Sequence, residues 1–253
     1  MNIKNIDYNA MEEGFIDTDY GEIYFKHNLG TKQKIIMLHG LGGSTRAFAK
    51  FVDILPNDLD IYLIDLLGHG KSAKPKINYS VKAQTNILNN FINIKNYKDF
   101  YLFGHSYGGM VALKYILSFG IENLKGIILE DCAGLKESGN ISEAYKQNML
   151  KKALEFNNEE YVIESIINQD DDVSENDLKL LSKLDIQCLI LWGENDMIVN
   201  KKYGEILNRT IKNSEFKIIE NADHEPHYTN REKTKVILLE FINKVFLNIN
   251  NKK

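Results

Sequence analysis

Along this chain, short apolar runs alternate with stretches in which apolar positions return every third or fourth residue. The runs fall at residues 34–38 (KIIML), 60–64 (DIYLI), 100–103 (FYLF), 126–129 (GIIL), 187–192 (QCLILW) and 215–219 (EFKII). Most are continuous rather than alternating, as expected of strands buried on both faces. The periodic stretches predict helices over 45–55, 80–94, 107–118, 200–211 and 231–247. In the last of these Val236, Leu239, Ile242, Val245 and Phe246 share one face. Two shorter runs, 15–17 and 22–26, flank Asp19, Tyr20 and Gly21, whose turn chemistry predicts a hairpin of antiparallel edge pieces. Strand alternating with helix is the signature of an α/β fold: a mostly parallel central sheet of about eight strands with helices on both faces.

The rhythm stops between residues 135 and 185, where helix signals follow one another without a strand. This predicts an all-helical lid, with 1–134 and 186–253 forming the core. Helix starts are expected at Asn140 with Glu143, at Asn157 or Asn158, and at Ser174 with Asp177, which are N-cap patterns. The lid's apolar residues, Tyr145, Met149, Leu154, Phe156, Tyr161, Ile163, Ile166 and Ile167, are expected chiefly to pack on the core, with Tyr145 and Met149 as candidate substrate contacts. Asp170, Asp171 and Asp172 read as a solvated acidic turn.

Composition narrows the function classes. Hydrophobic residues at 43% and charged residues at 26% of 253 are globular averages, which argue against a disordered chain. Lys and Arg number 31 against 35 Asp and Glu, a net charge of -4, so the basic excess that phosphate backbones demand is missing and nucleic acid is not an expected partner. The longest apolar run, 188–192, is far short of the roughly 20 residues of a membrane span. The amino terminus carries no apolar signal region, so a cytoplasmic location is expected. Cys132 and Cys188 lack metal-ligand spacing and are expected as free core thiols.

The chemistry gathers at Gly104-His105-Ser106-Tyr107-Gly108, which directly follows one predicted strand and opens a helix. A sharp strand-to-helix turn thrusts a serine out at the sheet's edge, and glycines flank it where a Cβ would strike neighbouring backbone. A serine hydroxyl is a poor nucleophile until a base takes its proton, so a histidine and an orienting carboxylate are required. Of six histidines, His27 lies on the hairpin, His39 and His69 in glycine-rich loops, and His105 beside the serine; His224 and His227 follow the last strand in NADHEPHYTN.

On this elbow the chain resembles the α/β-hydrolase fold family, and the likeness runs from the hairpin to the last helix, the lid matching only in character. The resemblance implies catalytic roles for Ser106, Asp196 and His224. His224 stands where the family keeps its base, with His227 as rival. Asp196, in LWGENDMIV, matches the family's acid, with Asp131 and Glu194 as rivals. It also implies an oxyanion loop at His39-Gly40-Leu41-Gly42-Gly43, with the backbone N–H groups of Leu41 and Tyr107 as donors and His39 as a further candidate substrate contact. Asp65, in DLLGHGKS, is expected to hydrogen-bond its own loop.

The activity implied is a serine hydrolase cleaving a small ester or related acyl compound through an acyl-enzyme, without metal or cofactor. The P-loop lysine and the EF-hand spacing are both missing. The expected partner is a small-molecule substrate, and the short lid favours it over a polymer; oligomeric state is not readable. A dehalogenase or epoxide hydrolase would need aspartate at position 106. Carbon-carbon bond hydrolases, lyases and perhydrolases share the triad and stay open, as does a slow hydrolase-fold ligand receptor.

Overall fold

A computed structural model describes residues 4–135, 147, 150, 151, 154, 155, 158–168 and 171–250. Eight strands form one sheet: β1 (Glu12–Thr18), β2 (Gly21–Asn28), β3 (Lys34–Leu38), β4 (Asp60–Ile64), β5 (Phe100–His105), β6 (Leu124–Glu130), β7 (Gln187–Gly193) and β8 (Asn213–Ile219). Their order across the sheet is β1-β2-β4-β3-β5-β6-β7-β8. The pairs from β4 onward are parallel, and β1 and β2 are antiparallel additions. The α-helices described from end to end are α1 (Ala49–Val52), α2 (Val81–Ile94), α3 (Tyr107–Phe119), α4 (Glu160–Ile167), α5 (Glu175–Leu181), α6 (Lys202–Thr210), α7 (Pro226–Thr229) and α8 (Arg231–Asn250).

Side chains alternate across a strand, so each continuous apolar run supplies two cores at once. Ile36, Leu38, Leu102, Ile127, Leu129, Ile190 and Trp192 face one layer, closed by α2 and α3 and by Val162, Ile166 and Leu181 of α4 and α5. Ile35, Met37, Tyr101, Phe103, Ile128, Leu189 and Leu191 face the other, closed by α1 and α8. Burial on both faces is why these strands carry almost no polar residue.

Several expectations shift in detail. Only β1 is an edge piece of the hairpin, because β2 also pairs with β4. The helix expected over 45–55 splits into a 3-10 turn, Thr45–Phe48, and the short α1. Its end tightens because Ile54 and Leu55 donate to carbonyls three residues back. On α8 the buried face is Leu238, Phe241, Ile242 and Val245, while Val236 and Phe246 are exposed. The expected stripe misses that helix's orientation, which its packing on the sheet sets.

Between β6 and β7 the described residues hold α4 and α5. Ser174 and Asp177 form the expected capping box at α5. The residue before α4 is Glu159, without a side-chain cap; Asn158 bonds elsewhere. Tyr145, Met149, Phe156, Asn157 and the Asn140–Glu143 pattern lie outside the described residues, as does Asp170.

Candidate active site

The carboxyl ends of β3, β5, β6, β7 and β8 open on one edge of the sheet, where open α/β sheets bind ligands. Ser106 sits between β5 and α3 with φ 51° and ψ -115°, a conformation that costs a non-glycine residue about 1–3 kcal/mol and persists only where its surroundings enforce it. They do so here. A Cβ at Gly108 would strike the Leu38 carbonyl, so glycine there lets α3 start hard against β3. The Ser106 N–H and C=O are both tied to the main chain, the former donating to Glu130 O at 2.9 Å and the latter accepting from Ala133 N at 3.1 Å.

Two loops bring the partners to Ser106. The His224 ring places Nε2 3.0 Å from Ser106 Oγ and donates from Nδ1 to Asp196 Oδ2 at 2.9 Å. Asp196 also accepts from the N–H groups of Ile198 at 2.7 Å and Val199 at 3.0 Å. Burial would raise its pKa, but the bond and charge of His224, then a hydrogen bond with Asp131 and the Ile198 amide, hold it below the ordinary aspartate value. Fully buried Trp192 donates from Nε1 to Val199 O at 3.2 Å, which ties the Asp196 loop to β7.

Of the rival groups, Glu194 is exposed and accepts from Asn221 N, in the loop after β8, at 3.0 Å. His227 turns inward: its Nδ1 donates to Glu130 Oε2 at 2.5 Å and its main-chain N–H to Oε1 at 2.9 Å. Asp131 is fully buried and accepts from Gly193 N at 2.9 Å. Asp65 accepts from Thr45 N at 2.6 Å and Lys71 N at 2.8 Å, the backbone role its motif suggested.

The loop after β3 lies against the serine. A Cβ at Gly40 would sit 2.9 Å from His105 Nδ1 and 3.3 Å from Ser106 Cβ, so only glycine permits the approach. Tyr107 is the first residue of α3, and the first N–H groups of a helix have no intrahelical acceptor. His39 departs from the expectation of a substrate contact. It is fully buried, its Nδ1–H donates to Gly40 O at 2.8 Å and its Nε2 accepts from Leu66 N at 3.0 Å. Burial lowers its pKa to about 4. It is a neutral brace for the loop, with both nitrogens occupied.

Two groupings escaped the sequence reading. His105, buried and held neutral by burial and by the neighbouring histidines, places Nε2 2.7 Å from the His224 carbonyl. With Glu130 and His227 it forms a layer behind His224, and the sequence holds a signal for it: Glu130 ends an apolar strand, and a buried charge demands a partner. Asn158, also buried, donates to Gly42 O at 2.6 Å and accepts from Gly70 N at 3.1 Å. It thereby joins the segment before α4 to the loop after β3. Among the described residues, the His, Asp and Glu atoms close enough together to suggest metal ligands are His105, Glu130 and His227, and Asp131, Asp196 and His224. In both sets the histidines are engaged in the hydrogen bonds just described.

Comparison with known proteins bears on the fold and the family. Residues 34–162 match the family model described as alpha/beta hydrolase fold, about half of the chain. The rat protein named Monoacylglycerol lipase ABHD6 is 24% identical over 93% of this chain and 83% of its own. Lipase 3 of a Moraxella strain is 24% identical over 81% of this chain and 75% of its own. Among solved structures, an esterase of Exiguobacterium antarcticum superposes with a TM-score of 0.80 at 22% identity, covering 92% of this chain and 100% of the other. A bromoperoxidase of Bacillus anthracis gives 0.81 at 19%, with the same coverage. No helix among the described residues is long and apolar enough to cross a membrane. With its sheet order, its strained serine after β5 and this family match, the chain belongs to the alpha/beta hydrolase fold family and is an enzyme of the hydrolase class.

Proposed function

We propose that this protein is a serine esterase that hydrolyses a small carboxylic ester or related acyl compound through an acyl-enzyme. The observation that carries this reading is the continuous relay from Ser106 Oγ to His224 Nε2 at 3.0 Å and from His224 Nδ1 to Asp196 Oδ2 at 2.9 Å.

In this mechanism His224 takes the Ser106 proton as Oγ attacks the acyl carbon, and Asp196 holds the imidazole tautomer and stabilises the imidazolium that forms. The carbonyl oxygen becomes an oxyanion, held by the N–H groups of Leu41 and Tyr107; one such donor is worth about 10²- to 10³-fold in kcat. His224 returns the proton to the departing alcohol. Water, deprotonated by the same ring, then attacks the ester formed on Ser106, and collapse of that second tetrahedral species releases the acid and restores the serine. Every proton is accounted for by His224, substrate and water. The lipase names of the relatives support an ester as the substrate class.

The test is steady-state turnover of p-nitrophenyl acetate and butyrate by wild type and Ser106→Ala. The alanine variant is expected to lose about 10⁶-fold in kcat, as triad serines do, with wild type turning over many times. Unchanged turnover in the variant, or a single acylation without release in wild type, overturns the reading.

A further inference from the structure

Beside the relay lies a second carboxyl group that the mechanism above does not use. An Asp131 oxygen, an Asp196 oxygen and a His224 ring nitrogen all lie within 4.8 Å of one another. Asp131 follows β6 in a left-handed conformation, φ 44°, and is 0% exposed. Its Oδ1 accepts from Gly193 N at 2.9 Å, whereas its Oδ2 is buried and meets no donor among the described residues.

Two carboxylates in one buried site do not both stay ionised; one proton is shared between them. Which one keeps it follows from the donors each receives. Asp196 accepts three hydrogen bonds, from His224 Nδ1, Ile198 N and Val199 N. Asp131 accepts one and has a free oxygen beside Asp196. A carboxylate with several donors is stabilised in its charged form, and a desolvated one with few donors is not. Burial first, then hydrogen bonding to Asp196, then the charges of Glu130 and Asp196 push Asp131 well above the ordinary aspartate value. The ionisable groups around it are Glu130 and Cys132 on its own segment, Asp196 from the loop after β7 and His224 from the loop after β8.

We propose that Asp131 is a neutral carboxylic acid at neutral pH, and that its hydroxyl donates a hydrogen bond to the Asp196 carboxylate, positioning that carboxylate for His224. The proposal rests on the triad reading. It makes Asp131 a positioning residue rather than a spare catalytic acid. An ionised Asp131 would compete with Asp196 for the imidazolium and draw a proton onto it. A neutral one adds a fourth donor and leaves a single negative charge opposite His224.

Asparagine has the shape and the donor of a protonated aspartic acid, and that makes the idea testable. Asp131→Ala is expected to lose about 10-fold or more in kcat with little change in KM, while Asp131→Asn rescues most of that loss, to within about 3-fold of wild type. A second readout concerns stability. The unfolded chain releases the Asp131 proton above about 3.8 and the folded chain keeps it, so wild type loses stability with rising pH relative to Asp131→Asn. The gap in Tm in favour of the asparagine variant should therefore widen from about pH 5 to about pH 8.

Failure of asparagine to rescue, or a Tm gap that stays flat or narrows with pH, overturns the proposal; should the alanine variant not fold, the asparagine variant's Tm gap decides. Loss of the triad reading is seen separately, as turnover surviving in Ser106→Ala. The Tm gap still reports the proton on Asp131 in that case.

Discussion

The Glu130 carboxylate receives two hydrogen bonds from His227, one from the ring at 2.5 Å and one from the main chain at 2.9 Å, with both side chains at most 1% exposed. His227 stands three residues after His224, and His105, in the same buried layer as Glu130, holds the His224 carbonyl. The His224 ring therefore hangs from a short loop clamped at two points, which is how a surface loop attains the fixed geometry that the proposed proton transfer requires.

Removing one partner of a buried pair strands the other. Glu130→Ala is accordingly expected to destabilise the protein by about 3–5 kcal/mol, measured by urea unfolding, and to lower kcat even at temperatures where the variant remains folded. Wild-type stability in that variant would mean that the pair holds nothing.

The same pair predicts a pH dependence. Burial pulls the His227 imidazole down, but the Glu130 charge and hydrogen bond outweigh it and hold His227 above its ordinary 6.5. A raised imidazole contributes stability that is fully present below the unfolded value and is lost as pH climbs through the folded one. The Tm advantage of wild type over His227→Gln should then be largest near pH 6 and shrink toward about pH 9. A difference that grows with pH would contradict the ion pair.

Asn158 reaches from the segment before α4 to Gly42 O in the loop carrying Leu41. Asn158→Ala is expected to cost about 1–3 kcal/mol in stability and, because the loop carrying the proposed oxyanion donor Leu41 loses its tie, to lower kcat more than it raises KM. Ser174→Ala, which removes the α5 cap in the same insertion, is the matched control: about 1 kcal/mol of stability with kcat unchanged. Equal kinetic effects in the two variants would show that Asn158 acts through general stability alone.

The strands, the helices behind them and the serine turn are legible along the chain because each is written in neighbouring residues: continuous apolar runs, helical spacing, glycines on either side of Ser106. Runs 34–38 and 60–64 coincide with β3 and β4 to the residue. Local pattern left open which of His224 and His227 faces the serine, and which acid faces the histidine. It also offered His39 to substrate, where the residue braces its own loop, and Asn158 as one of two candidate helix caps, where it spans two loops. Each of these outcomes depends on groups far apart in sequence that meet only when the strands stack. Glu130 and His227 are separated by 97 positions, Asn158 and Gly42 by 116. A buried polar atom must find its partner wherever packing brings one within reach. For that reason hydrophobic spacing is enough to announce this fold, whereas the roles of its buried acids, histidines and amide follow from the folded arrangement alone.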